Sequence, residues 1–485
     1  MTFYFYDLET TGFDPRRARI MQFAGQRTDM SLKPIGEPLN TLVKLTPDVV
    51  PDPSAIMVTG ITPQQTIAEG VTEAEFLEMF YQQAAVPDTI FVGFNSIRFD
   101  DEFMRFTNYR NFYEPYEWQW KDGRSRWDML DVIRMTRALR PDGIEWPFAP
   151  DGKPANRLEY LTKVNKLEHS HAHDALGDVM ATIAVAKLIK DKHSDLFDYL
   201  LNMRDKKKVA DLVSSGEPFV YTTGRYSSEF LHTSVAILLA SHTAQDALLV
   251  YDLRYDPTQF IKMSVDELAN TWQYNPDPLA LRLPVKTIKY NRAPAVAPLG
   301  VIKDPATQTR IGLTLETINH NLALLKPHQK DFTDKLVQVI ARLDQKRQAE
   351  QTTMLDDKLT VDTRLYDNFI SKTDIPIMQL VHKLKPEALD AKLIDKFSDK
   401  RLKTLLPLYK ARNFPKSLTT EERQAWDDYC HQQLFDGGDS SRLAQYFQAL
   451  QTLAAGKVSQ QQAYILEELQ LYGQSLMPAD ADNQD

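Results

Sequence analysis

The chain has a single cysteine, Cys430, among 485 residues. An internal disulfide framework and a cysteine-rich zinc site are both excluded. No apolar run approaches the roughly 18 residues that a helix needs to span a bilayer. No leader segment is expected either, because a strand-like stretch begins almost at Met1. A cytoplasmic protein is the expectation. Positive charge is also short: 57 Lys and Arg face 66 Asp and Glu, a net charge of −9. That argues against indiscriminate binding to polyanions, so any nucleic-acid site must be a local basic groove. The sequence contains no internal repeat. Its length points to several cores rather than one.

What is present is concentrated first at the N-terminus. Phe3, Tyr4, Phe5 and Tyr6 read as a buried strand, and Asp7 and Glu9 follow. Residues two apart on a strand point the same way, so the two carboxylates share a face. Like charges that close repel unless a cation lies between them or one is protonated. Oxygen-only ligands suit Mg²⁺ or Mn²⁺, and such a pair can begin a two-metal site. A D-x-E on its own is more often a strand ending in solvated acids, so the rest of the chain must decide.

Further strands are expected at 20–25, 42–45 and 89–94. Thr62 and Pro63 read as a cap and first helical position in a loop feeding a helix over 73–83. Asp100 comes just after the strand at 89–94 and opens a helix, whereas Asp101 and Glu102 read as solvated first-turn acids. From Arg105 to Lys121, aromatic residues alternate with basic ones, the pattern a single strand of nucleic acid requires. About half of those rings should fill core, Phe106 and Phe112 foremost. The stretch 126–131 is expected to be the start of a helix carrying Arg134, Arg137 and Arg140, and another helix to start at Arg157. His169, His171 and His173 precede Asp174, a plausible cap, and Asp178 then falls on the first turns of a helix. A zinc site on the three histidines is disfavoured, since no cysteine is near to complete it. Short strands over 218–301 suggest a small barrel or sheet, with Lys286 and Lys289 on one strand, and the pattern is helical from about residue 313.

Together, D-x-E at Asp7 and Glu9, Asp100 after N-x-x-x-F, and His173 five residues before Asp178 resemble the DEDDh exonucleases, whose fold is ribonuclease H-like. The stretches 57–63, 105–120, 125–131, 140–147, 157–162, 283–294 and 409–415 are similar to the bacterial exodeoxyribonuclease I family. That resemblance implies an α/β protein in three parts: a ribonuclease H-like exonuclease domain (1–195), an SH3-like β-barrel domain with connecting helices (196–345), and a helical C-terminal domain (346–485). It implies release of 5′-mononucleotides from the 3′ end of single-stranded DNA, in repair and recombination. Asp7, Glu9, Asp100 and Asp178 would hold two Mg²⁺, with Mn²⁺ as a substitute, and His173 would be the base. Glu9, Thr10 and Arg157 would position the terminal nucleotide. Arg105, Tyr116, Trp120, Arg134, Arg140, Lys286 and Lys289 would line the DNA path. The family's partner is the acidic, apolar tail of single-stranded DNA-binding protein, for which Lys303, Arg310 and Lys326 around Ile311, Leu315 and Leu322 are the candidates. A monomer is implied. One departure is Leu8, where some relatives have an aromatic residue. Two alternatives stay open: an exoribonuclease of the same superfamily, and a non-catalytic single-strand DNA-binding scaffold. Repulsion among four retained acids speaks against the scaffold.

Overall fold

The structure is a computed structural model, and it describes residues 1–169, 174–242, 247–273, 276–277, 280–354 and 360–477. The chain divides into two compact units. One comprises Met1–Ser125, His169–Met180 and Asp357–Asp485; the other comprises Arg126–Glu168 and Ala181–Asp356.

In the first unit the central strand is β1 (Thr2–Thr10). It pairs antiparallel with β2 (Ile20–Thr28) and parallel with β4 (Thr89–Gly93), while β3 (Leu39–Leu42) pairs with β2. The order in this unit is therefore β3-β2-β1-β4, and a further strand, β5, is Ser125–Asp128. Alternation along β1 sends Tyr4, Tyr6 and Leu8 into a core with Phe23, Phe76, Phe80, Phe91 and Trp118. Phe3, Phe5, Asp7 and Glu9 take the opposite face. The helix Glu73–Gln83 forms where expected, started by a capping box of Thr72 and Glu75.

Several local expectations are corrected. The third strand ends at Leu42, and Val43 makes only an isolated bridge to Val71. Thr62 and Pro63 start their own short helix, Pro63–Glu69, and residues 58–59 close another, Pro53–Thr59, which Asp52 caps. Residues 126–128 are strand; the helix is Met129–Leu139, because Asp128 turns its side chain onto the Leu130 N–H as the cap.

The C-terminal helices complete this unit with two further cores. Phe106, Tyr109 and Phe112 pack with Phe397, Leu402, Leu405 and Tyr409. Met21, Leu45 and Ile56 pack with Leu443, Tyr446 and Leu469. Between them lies a buried ion cluster. Arg412 donates to Asp362 at 2.6 and 2.9 Å and to Asp48 at 2.7 Å, and Arg19 donates to Asp362 at 2.9 Å. Burial alone would raise both carboxyls, but Arg412 and Arg19 outweigh it and hold them below the usual range.

The second unit contains an antiparallel sheet of order β10-β6-β7-β8-β9. Its strands are β6 (Phe219–Thr222), β7 (Thr233–His242), β8 (Ala247–Asp252), β9 (Val285–Ile288) and β10 (Ala295–Pro298). Phe219, Tyr221, Ala236, Val250, Ile288 and Val296 bury one face against Val209 and Val213 of the helix Lys206–Val213. Among the described residues no helix is long and apolar enough to cross a membrane.

Candidate active site

The acids converge through two strand ends and two helix starts. Asp7 lies opposite Ala24 and Glu9 opposite Gln22 in the β1–β2 ladder. Leu8 between them points into the core, so the departure from an aromatic residue falls on the face away from the acids. β4 ends at Gly93, where an added Cβ would meet Ser96 Cβ at 2.4 Å and the Tyr6 carbonyl at 3.1 Å. Asn95 then takes a left-handed φ of 66°. This tight turn delivers the buried Asp100 as first residue of the helix Asp100–Arg110. Asp178 stands in the first turn of the helix Ala175–Lys192.

Oxygens of Asp7, Glu9 and Asp178 all lie within 4.8 Å of one another. Asp100 joins them electrostatically. Burial pushes the Asp7 carboxyl well above its ordinary value, and Asp100, Glu9, Asp178 and Asp174 push it further. Glu9 is pushed up to about 8 by burial, then by Asp178 and Asp174. Carboxylates that repel in this way make an oxygen-only donor set that fits a hard divalent cation.

Sequence reasoning missed the groups that hold these acids in place. Gln22, opposite Glu9, donates its amide to Asp174 Oδ1 at 3.0 Å and accepts from the Ala175 N–H at 3.3 Å. Asp174 in turn caps the helix through the Gly177 N–H at 3.1 Å, as expected of it. Asp101 is not solvated: it is 1% exposed, because the Tyr6 hydroxyl donates to it. Glu102 is engaged too, by Arg105 at 2.6 Å and by the Tyr366 hydroxyl. His169 Nε2 lies 2.7 Å from Asp178 Oδ1. His171 and His173 fall outside the described residues. No local pattern marks Gln22 or His169; only the strand register would have singled out Gln22.

The other expected residues divide by unit. In the first, Thr10 is buried and donates to the Gly12 carbonyl at 2.9 Å. Arg105 also donates to Gln119 at 3.0 Å and lies 5.5 Å over the Tyr116 ring, and Trp120 is 62% exposed. Of the aromatic block, Phe106, Tyr109, Phe112 and Trp118 are buried in core, about the expected half. In the second unit, Arg157 precedes the helix Leu158–Val164 with its guanidinium 5.7 Å over Tyr160. Arg134 pairs with Asp131 at 2.7 Å, and Arg140 donates to the Leu139 carbonyl at 2.7 Å. Lys286 lies on β9 and Lys289 follows it, both half-buried. Burial pushes the Lys286 ammonium down, with Asp252 opposing. Lys303 and Lys326 are exposed, whereas Arg310 reaches the Ala138 carbonyl at 2.8 Å. Ile311 is fully buried, so Leu315 and Leu322, both half-buried, are the apolar candidates left at that surface.

Known proteins match nearly the whole chain. The family description "Exonuclease" matches residues 4–186, "Exonuclease I SH3-like domain" 204–342, and "Exonuclease I C-terminal domain" 359–476. Exodeoxyribonuclease I of Haemophilus influenzae is 40% identical over 435 residues, covering 88% of this chain and 89% of the relative. Escherichia coli exonuclease I in complex with a dA16 oligonucleotide superposes with a TM-score of 0.89 at 37% identity, over 98% of this chain and 100% of that one. A zinc-bound form of the E. coli enzyme with single-stranded DNA gives 0.89 at 36% identity, over 98% and 99%. A structure of SSB and exonuclease I with the inhibitor CFAM gives 0.84 at 36%, over 98% and 99%. The expected fold is thereby confirmed: an exonuclease domain, an SH3-like domain and a helical C-terminal domain. With relatives matched over nearly its full length and acids brought together at the strand end, the chain belongs to the exodeoxyribonuclease I family of 3′→5′ exonucleases.

Proposed function

We propose that Asp7, Glu9, Asp100 and Asp178 hold two Mg²⁺ ions, replaceable by Mn²⁺, and that this site releases 5′-mononucleotides from the 3′ end of single-stranded DNA. The observation that carries this reading is the convergence of the Asp7, Glu9 and Asp178 oxygens within 4.8 Å beside buried Asp100. Such ions, when bound, supply an activated water and neutralise charge at the scissile phosphate. The chain's own part is positional. β1 holds Asp7 and Glu9 on one face, and two helix starts present Asp100 and Asp178 to it. His173 takes the proton of the attacking water, a task that an imidazole suits. Glu9, Thr10 and Arg157 hold the terminal nucleotide.

The single strand runs over Arg105, Tyr116 and Trp120, with Arg134, Arg140, Lys286 and Lys289 also on its path. Exposed Trp120, and Tyr116 beneath the Arg105 guanidinium, supply stacking faces with charge beside them. Complexes of relatives with oligonucleotides and with SSB support both a DNA path and a docking site for the SSB tail. Exposed Lys303 and Lys326, with Arg310, are the cations for that tail. Residues 1–195, 196–345 and 346–485 are the three working segments of a cytoplasmic monomer that serves DNA repair.

The test is digestion of a labelled single-stranded oligonucleotide with Mg²⁺, beside RNA and duplex controls. Mononucleotides released from the 3′ end of the single strand, with little from RNA or duplex, are expected. Faster digestion of RNA would overturn the substrate assignment.

A further inference from the structure

Asp178 enters the active site from the first turn of the helix Ala175–Lys192. Gln22 and Asp174 fix where its helix begins, but neither touches the Asp178 side chain through the bonds just described. That side chain is 20% exposed, and its carboxylate lies within 4.8 Å of oxygens of Asp7 and Glu9, close enough for like charges to repel. Rotation toward solvent would relieve the repulsion. His169 opposes that rotation: its ring is only 6% exposed and its Nε2 lies 2.7 Å from Asp178 Oδ1.

We infer that His169 is a positioning residue for Asp178, donating Nε2–H to Oδ1 so that the carboxylate stays turned toward Asp7 and Glu9. An ionised carboxylate only accepts, so the bond requires the proton on Nε2. Two oxygens offer about four acceptor sites, so one bond to His169 leaves capacity for a cation. Histidine here does for a carboxylate ligand what outer partners do for ligands generally: it fixes orientation before the ion arrives. This role differs from that of His173, which is assigned to the water and not to a ligand. The inference rests on the reading of Asp178 as a metal-holding acid.

The experiment is titration of the DNA-free protein with Mn²⁺, followed by electron paramagnetic resonance. His169→Ala, and the volume-conserving His169→Phe, should each bind Mn²⁺ about 10- to 100-fold more weakly than wild type. His169→Gln keeps an N–H donor and should recover most of the affinity. A merely structural role would not be rescued by that change while His169→Phe failed. Adding His169→Ala to Asp178→Ala should cause no further loss, because the partner is already gone. Wild-type affinity in both donor-lacking variants, or additive losses in the double variant, would overturn the inference. Wild-type affinity in Asp178→Ala would instead show that the underlying reading of Asp178 has failed.

Discussion

Two clusters of buried charge lie in the same compact unit and titrate in opposite directions. At the end of β1, the charges acting most on Asp7 are Asp100, Glu9, Asp178 and Asp174, and its carboxyl is driven up. Around Arg412, Asp48 and Asp362 are buried more deeply still, yet both are held down. Burial pushes every one of these carboxyls the same way, so depth is not what separates them. The partners are. Arg19 and Arg412 balance Asp48 and Asp362 from within the chain, which makes that cluster a joint between the N-terminal sheet region and the C-terminal helices. At the β1 cluster the neighbours acting on Asp7 are themselves acids, the arrangement that the proposed cations would neutralise. A buried charge cluster can thus be sorted into structural or functional by asking who neutralises it.

The comparison can be broken most forcefully at the acids. Replacing any one of Asp7, Glu9, Asp100 or Asp178 by alanine should lower hydrolysis by more than about 10³-fold, ~4 kcal/mol of barrier. A variant within about tenfold of wild type would place that residue outside the site. His173→Ala should lose about 10²- to 10⁴-fold while keeping its Mn²⁺ affinity. His171→Ala should stay near wild type in the same assay, and equal damage in both would mean the base has been misassigned.

At the other cluster, the same operation should act on stability instead. Arg412→Ala leaves Asp48 and Asp362 buried against one remaining arginine, and urea unfolding should show a loss of about 3–5 kcal/mol. Hydrolysis per folded molecule should be unchanged. A loss below about 1 kcal/mol would make the joint no stronger than a surface ion pair. The smallest effect is expected at the DNA path. Trp120→Ala should weaken single-strand binding by about tenfold, and wild-type affinity should fall steeply with salt. Salt-independent binding would remove the basic path.

The two clusters also differ in how far they could be read from sequence. Asp7 and Glu9 were legible because a strand's period of two puts them on one face, and Asp100 and Asp178 because each follows a recognisable strand or opens a helix. Thr62 and Asp174 announced helix starts by their chemistry. The Arg19–Asp362 bond joins residues 343 positions apart, and no local pattern marks a partner at that distance. Asp101 was misread for a related reason: first-turn acids are usually solvated, and only the packing of Tyr6 against the helix shows otherwise. Gln22 and His169 likewise owe their roles to register and to folding of a loop onto a helix, not to their neighbours in sequence.

The most direct test of the central claim is thermal unfolding of wild type and Glu9→Gln in chelator and in Mg²⁺, from pH 5 to pH 8.5. Glu9 is raised from 4.5 to about 8 in the folded chain, so the stability it contributes is present below pH 4.5 and is lost as pH rises through 8. In chelator, wild type should therefore melt increasingly below Glu9→Gln as pH rises, the two converging near pH 5. Mg²⁺ should raise the wild-type melting temperature at pH 8.5 and raise that of the variant much less. A wild type that melts above Glu9→Gln at every pH in chelator would contradict the account.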